Sequence, residues 1–246
     1  MEWRDEGILV SVRRHGESAA IVEIFTARHG RHAGLVRGGA GRRMAPLLQP
    51  GAELSLDWSA RLEEHIGSFR VDPIRPHGAL LLDDAPALAA LGSVTALIGV
   101  ALPERAAHPA LYAASRTLIA ALGREAGWRQ LYALWELQLL GELGFGLDLG
   151  RCAATGSRED LVFVSPRSGC AVSGEAGAPW ADRLLPLPAF LRDPEAGPAS
   201  PDDLAAALAL TGFFLEARLA PTLPREALPA ARGRAVEAML RAATKP

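Results

Sequence analysis

Apolar and polar residues alternate through much of the first 79 residues, and this period of two constrains the chain more than any other feature. Ile8, Val10 and Val12 alternate with Leu9, Ser11 and Arg13, and Val22 and Ile24 keep the same spacing. Leu54, Leu56 and Trp58 alternate with Glu53, Ser55 and Asp57, and Phe69 and Val71 with Ser68, Arg70 and Asp72. Such a pattern places one face of a strand on a core and the other in water. Breaks at His15-Gly16, His29-Gly30, Gly38-Gly39-Ala40-Gly41, Pro50-Gly51 and Gly67 cut the stretch into about five short strands, the scale of a small antiparallel barrel. An OB-type barrel fits this count, with a Greek-key sandwich of similar size as the competing architecture.

From about Leu80 the texture becomes helical. Residues 110–122 and 129–143 carry few breakers, and in the second Leu131, Leu134, Trp135, Gln138, Leu139 and Leu143 approximate a helical stripe that Leu137 and Leu140 widen. Gly144 and Gly146 close that segment. Residues 147–180 turn to Gly, Ser and Thr around a short Leu161-Val162-Phe163-Val164 run, which reads as a small hairpin insert. Helix resumes at Ser200-Pro201-Asp202-Asp203, where Ser200 suits the N-cap, Pro201 the first turn and the two acids the positive end of the dipole. The last segment, 225–244, reads as a terminal helix or two. The fold class expected is therefore α+β in several parts: a five-stranded OB-type β-barrel at 1–79, a helical domain beginning at 80–147, a zinc-ribbon-like hairpin insert without metal at 148–180, and the rest of the helical domain at 181–246.

The N-terminus has no apolar core of the kind a signal peptide needs, and residues 85–102, though without formal charge, follow Asp83 and Asp84 and contain Pro86 and Thr95. That stretch is expected to be a buried helix, and no membrane partner is expected. Two cysteines without a secretion signal suggest a reducing, cytoplasmic setting.

Enzymatic motifs are missing. The one lysine is Lys245, so there is no phosphate-cradling Gly-Lys-Ser/Thr, and GxSxG, HExxH and GxGxxG are absent as well. No catalytic residue and no cofactor are assigned. His29 and His32 lie three apart beside arginines, with no carboxylate close by to complete a metal set. The cysteines read Cys152-Ala153-Ala154-Thr155 and Cys170-Ala171-Val172-Ser173, so each ribbon knuckle keeps its first cysteine and has a hydroxyl in place of the second. Neutral hydroxyls replace thiolates poorly on zinc, and no bound metal is expected.

Charge placement is the stronger signal. The net charge is −2, so composition makes no case for a polyanionic partner. Between Ile24 and Ala52, however, there are five arginines (Arg28, Arg31, Arg37, Arg42 and Arg43) and no acid, and Arg13 and Arg14 end the preceding strand. A glycine-rich basic loop on a barrel suits a phosphodiester backbone, while the plainer reading is a solvated loop whose arginines pair with acids elsewhere. A second basic stretch comprises Arg218, Arg225, Arg232, Arg234, Arg241 and Lys245 against Glu226 and Glu237. The barrel loops show no aromatic platform for base stacking, so any affinity is expected to rest on phosphate contact.

Taken in order, several segments resemble the RecO family of recombination mediators. They are Glu6-Gly7-Ile8-Leu9-Val10-Ser11-Val12-Arg13 with His15-Gly16-Glu17-Ser18, Phe25-Thr26-Ala27-Arg28-His29-Gly30-Arg31, Arg37-Gly38-Gly39, Arg42-Arg43 and Leu48-Gln49-Pro50-Gly51. Trp135-Glu136-Leu137-Gln138-Leu139-Leu140, Leu143-Gly144-Phe145 and the two knuckles continue the likeness over the whole chain. The resemblance implies an OB fold, a helical domain and a ribbon-like insert, and departs from the metal-binding pattern at Thr155 and Ser173. It also implies a non-enzymatic bacterial protein of the nucleoid that binds single- and double-stranded DNA and anneals complementary strands. By the same token it acts with RecR to load RecA onto strands coated by single-strand-binding protein, and it contacts that protein's acidic C-terminal tail. DNA contact is placed by the resemblance at Arg31, Arg37, Arg42 and Arg43. An OB-fold adaptor for RNA is the alternative.

Overall fold

The computed structural model describes residues 1–62, 64–193 and 195–243. Thr244 and Lys245, which end the basic C-terminal stretch, lie outside the described residues. The chain divides into two compact units, residues 1–124 with 229–238, and residues 125–228 with the chain from 239 onward.

In the first unit five strands, β1 (Glu2–His15), β2 (Ala19–Thr26), β3 (Gly30–Val36), β4 (Glu53–Ser59) and β5 (Ser68–Arg75), close a barrel in the order β1-β2-β3-β5-β4. The pairs are antiparallel except β3 with β5, which is parallel. This closed, five-stranded OB arrangement removes the Greek-key sandwich from consideration. Closure depends on the length of β1, whose Glu2–Ile8 half pairs with β4 while its Gly7–His15 half pairs with β2. A register shift between Leu9 and Ser11 bends the strand, as a bulge does at a barrel corner.

That bulge also explains where the simple alternation fails. Residues 7–10 are buried on both faces, and Val12 is exposed. Leu9 joins Val22, Ile24, Leu54, Leu56 and Trp58 in the barrel interior. Ile8 and Val10 turn outward and are covered by two helices, α1 (Ala85–Ala101) and α2 (Pro109–Ala121). Each such aliphatic side chain removed from water contributes about 1.5–3 kcal/mol. Tyr112 on α2 fixes the contact, with its ring 5.5 Å from Phe25 and its hydroxyl donating to the Glu6 carbonyl at 3.2 Å. Asp84 caps α1 by accepting from the Ala87 N–H at 3.0 Å.

In the second unit α3 (Trp128–Glu142) lies in the core. Its fully buried face carries Tyr132, Trp135, Glu136, Leu139 and Leu140, whereas Leu131, Leu134 and Gln138 of the expected stripe are only half-buried. The rotation brings in a carboxylate that apolar periodicity does not reveal: Glu136 accepts from the Thr211 hydroxyl at 2.6 Å. Between α3 and the next long helix lies the ribbon-like insert. It contains β6 (Leu161–Val164), β7 (Ala171–Ser173), the single-turn α4 (Gly174–Gly177) and β8 (Leu185–Pro186), with β6 central in a three-stranded sheet. The third strand goes beyond the expected hairpin and is too short to carry a sequence period.

Ser200 begins α5 (Pro201–Phe214) with a full capping box, accepting from the Asp203 N–H at 3.1 Å while Asp203 accepts from the Ser200 N–H at 3.2 Å. With the turns that follow, Pro201–Thr222 is long and apolar enough to cross a membrane by length and composition, and 56% of its apolar window is buried inside the protein. Burial of that degree is what a core helix shows. A final helix, α6 (Ala230–Ala243), ends the described chain.

Candidate nucleic-acid interface

The seven arginines singled out in the barrel do not form one cluster. They divide between its two ends, because β2 and β3 are antiparallel and Ala20 pairs with Val36 while Thr26 pairs with Gly30.

At one end lie the β1–β2 hairpin tip, with Arg14, and the connection from β3 to β4, with Arg37, Arg42 and Arg43. The connection is anchored along its length. Gly39 N–H donates to the Val36 carbonyl at 3.1 Å, Ala40 N–H to Ser18 of the hairpin tip at 2.9 Å, and Leu48 is buried. A side chain at 39 would collide with Ala20 and Val36, so glycine allows the loop to lie against β2. Turns from Gly41 to Met44 and Ala45 then carry Arg42 and Arg43 outward. Arg14, Arg37, Arg42 and Arg43 are exposed, and among the described residues none has a carboxylate in ion-pair range. Four cations fixed on two joined loops form a surface that an anionic polymer relieves of its own repulsion.

At the other end Arg28 and Arg31 are engaged internally. The Arg28 guanidinium pairs with Asp5 at 3.3 Å and also donates to the Arg4 carbonyl. Arg31, only 13% exposed in its side chain, donates to Glu23 at 2.7 Å and to the Leu102 carbonyl at 3.0 Å. The chain at 102–106 runs along it, with the Arg105 N–H donating to the Arg31 carbonyl at 2.8 Å. A guanidinium so held is a structural tie, which departs from the expectation that Arg31 faces a ligand. Arg13, one rung from Arg14 on β1 and so outside this end, is exposed but borders a small depression of about 270 Å³ that also holds Glu23, Glu64 and Glu104. A phosphate there would meet three carboxylates.

An aromatic group does occupy the barrel, gathered from three strands and so not visible in any one stretch of sequence. Trp3 stacks on His29, at 4.0 Å, and on Trp58, at 5.6 Å, with Phe69 and His32 edge-on. Trp3 is half-buried and lines a groove with Trp58 and Phe69. His32 is buried with neither ring nitrogen hydrogen-bonded among the described residues. Burial, followed by the nearby Arg105 and His29 charges, pushes its pKa down to about 4.

In the insert, Cys152 is buried and Ser173 donates to its sulfur from both the backbone N–H, at 3.3 Å, and the hydroxyl, at 3.4 Å. The Ser173 hydroxyl above all, then the Thr155 hydroxyl, draws the thiol down to about 6 against the opposing effect of burial. Three of the four knuckle positions are therefore gathered as a ribbon would have them, with hydroxyls in two. Among the described residues no group of three or more His, Cys, Asp and Glu could hold a metal ion. In the basic C-terminal stretch, Arg218 is tied to the Phe145 carbonyl at 3.1 Å and lies over the Phe214 ring. Arg234 is exposed on α6.

Comparison with known proteins agrees with this architecture. Residues 1–77 match the family described as Recombination protein O N terminal, and residues 82–227 match Recombination protein O C terminal. A DNA repair protein RecO of Cereibacter sphaeroides is 57% identical over 242 residues, covering 98% of this chain and 100% of the relative. Those of a Ruegeria species and of Roseobacter denitrificans are each 54% identical over 241 residues, covering 98% of this chain and 99% of each relative. With both barrel and helical segments matched along nearly their full length, the chain belongs to the RecO family of DNA repair proteins.

Proposed function

We propose that this protein mediates recombinational repair by binding single- and double-stranded DNA and annealing complementary strands, without catalysing a covalent reaction or using a cofactor. The observation that carries this reading is the anchored 37–43 loop beside the hairpin tip, with Arg14, Arg37, Arg42 and Arg43 exposed and without carboxylate partners among the described residues. Annealing brings two polyanions together, and fixed guanidinium groups lower that repulsion through phosphate contacts that are insensitive to sequence. Arg234 on α6 supplies a further exposed cation for a second strand. In the cell the protein works with RecR to load RecA onto strands coated by single-strand-binding protein, whose acidic C-terminal tail it contacts, and it resides in the cytoplasm at the nucleoid.

The test is annealing of complementary oligonucleotides coated by the cognate single-strand-binding protein, with and without this chain and without ATP. Acceleration that falls steeply with salt is the expected result. No acceleration would remove the annealing reading, and preference for RNA over DNA of equal length would turn the reading toward an RNA adaptor.

A further inference from the structure

We propose that the groove bordered by β1, β4, β5 and the loop that follows β3 is a track for one strand of a polynucleotide, with Arg70 and Arg37 meeting its phosphates. This rests on the polynucleotide reading of the loop and extends it to a surface outside the loop.

The groove has a volume of about 870 Å³, and its walls include Arg37 and Met44 from the loop and, from the strands, Arg4 and Arg70 with the acids Glu2 and Asp57. Strand register explains its charge. Arg4, Asp57 and Arg70 form one rung across β1, β4 and β5, pointing away from the barrel interior. Arg4 and Asp57 are joined in an ion pair and cancel, while Arg70 has no partner of its own among the described residues. On the other side, β5 runs parallel to β3 with Val36 opposite Phe69. Arg37, the first residue beyond β3, and Arg70 are both exposed and line the same groove. Like charges that share a groove repel each other. An anion between the two guanidinium groups removes that cost, and the two non-bridging oxygens of a phosphodiester match a planar, bidentate guanidinium.

The next rung carries Glu2 beside two hydroxyls, Ser59 and Ser68, 3.5 Å from each other, so Arg37 and Arg70 outweigh one acid there and the hydroxyls suit phosphate or sugar oxygens. Met44 supplies an apolar wall. Single-stranded bases can lie against such a wall, whereas a duplex keeps its base faces stacked inside, so the groove favours one strand over two.

The experiment measures binding of a labelled single-stranded oligonucleotide and of a duplex of equal length over a range of salt. It uses the intact chain and the variants Arg70→Ala, Arg70→Lys and Arg75→Ala. Arg75 is an exposed arginine of the same strand outside this groove. Arg70→Ala is expected to weaken single-strand binding several-fold and to reduce the slope of log K against log salt by roughly 1. Arg70→Lys should keep the slope, and Arg75→Ala should match the parent. If the parent binds and Arg70→Ala leaves the slope intact, the groove is not the track although the loop reading stands. An equal loss on the duplex overturns the single-strand assignment. Failure of the parent to bind either ligand at low salt removes the polynucleotide reading and the track with it.

Discussion

The guanidinium of Arg31 donates to Glu23 on the neighbouring strand at 2.7 Å and to the carbonyl of Leu102 at 3.0 Å, so it ties the barrel to the segment that follows α1. Arg31 belongs in sequence to the same acid-free run as Arg37, Arg42 and Arg43, yet its surroundings make it a different kind of residue.

Arg31→Ala is therefore expected to act on stability. Removing the cation leaves Glu23 with the Ser11 hydroxyl as its remaining donor and a half-buried carbonyl without its donor, a loss of about 1–3 kcal/mol. Oligonucleotide affinity should stay within about twofold at a temperature where both proteins are folded. Thermal melting together with a binding titration checks this. A large loss of affinity without loss of stability would return Arg31 to the interface.

The loop arginines should show the opposite behaviour. Arg42 and Arg43 are exposed beyond the turns that pin the loop, so replacing both with alanine should move the melting temperature little. The same double change should reduce the slope of log K against log salt by roughly 2. An unchanged slope would exclude these two residues from the binding surface.

Why the two behaviours are hard to separate in sequence follows from where the partners come from. The acid-free run is visible because it is contiguous, whereas the acids that neutralise Arg28 and Arg31 arrive from Asp5 and Glu23 through strand pairing and turn geometry. Strands such as β4 are legible because one face is largely in water and the period of two survives, as in Leu54, Leu56 and Trp58. Legibility fails at residues 7–10, where helices cover the outer face and a bulge shifts the phase, and Ile8 and Leu9 are both buried. The capping box at Ser200 is written in four consecutive residues and can be read directly. The meeting of Arg70 with Arg37 cannot, because Arg37 follows a strand joined to β5 only by parallel pairing at the barrel closure.

His32 provides a pH test of the barrel interior. Its pKa is lowered from 6.5 to about 4, so between these values the unfolded chain binds a proton that the folded chain does not. Stability attributable to His32 is complete above about pH 6.5 and is lost progressively as pH falls toward 4, by on the order of 3 kcal/mol. His29 and His77 are lowered as well, chiefly by burial, and act in the same direction. Denaturant unfolding at several pH values should thus show falling stability on acidification. His32→Phe, which keeps a ring against Trp58, should flatten that dependence by about one proton, or 1.4 kcal/mol per pH unit. An equally steep dependence in this variant would place the proton uptake elsewhere.

The insert can be asked to reveal its geometry by giving it back two thiols. A tetrahedral zinc with 2.3 Å bonds needs its sulfur atoms about 3.7 Å apart. The Ser173 hydroxyl lies 3.4 Å from the Cys152 sulfur, and the Thr155 hydroxyl is hydrogen-bonded to that same sulfur. Cysteines at 155 and 173 would therefore complete two C-x2-C knuckles with Cys152 and Cys170. The double variant Thr155→Cys with Ser173→Cys is expected to retain one zinc per chain through extensive dialysis and to give a tetrahedral thiolate spectrum with cobalt, while the parent retains none. The gain should raise the melting temperature of the variant in the presence of metal, since a ligand that binds the folded state stabilises it. Loss of zinc from the double variant on dialysis would mean that the Cys170 knuckle has drifted away from Cys152, and that the sheet around β6 now persists on apolar packing by Leu161, Val164 and Ala171 alone.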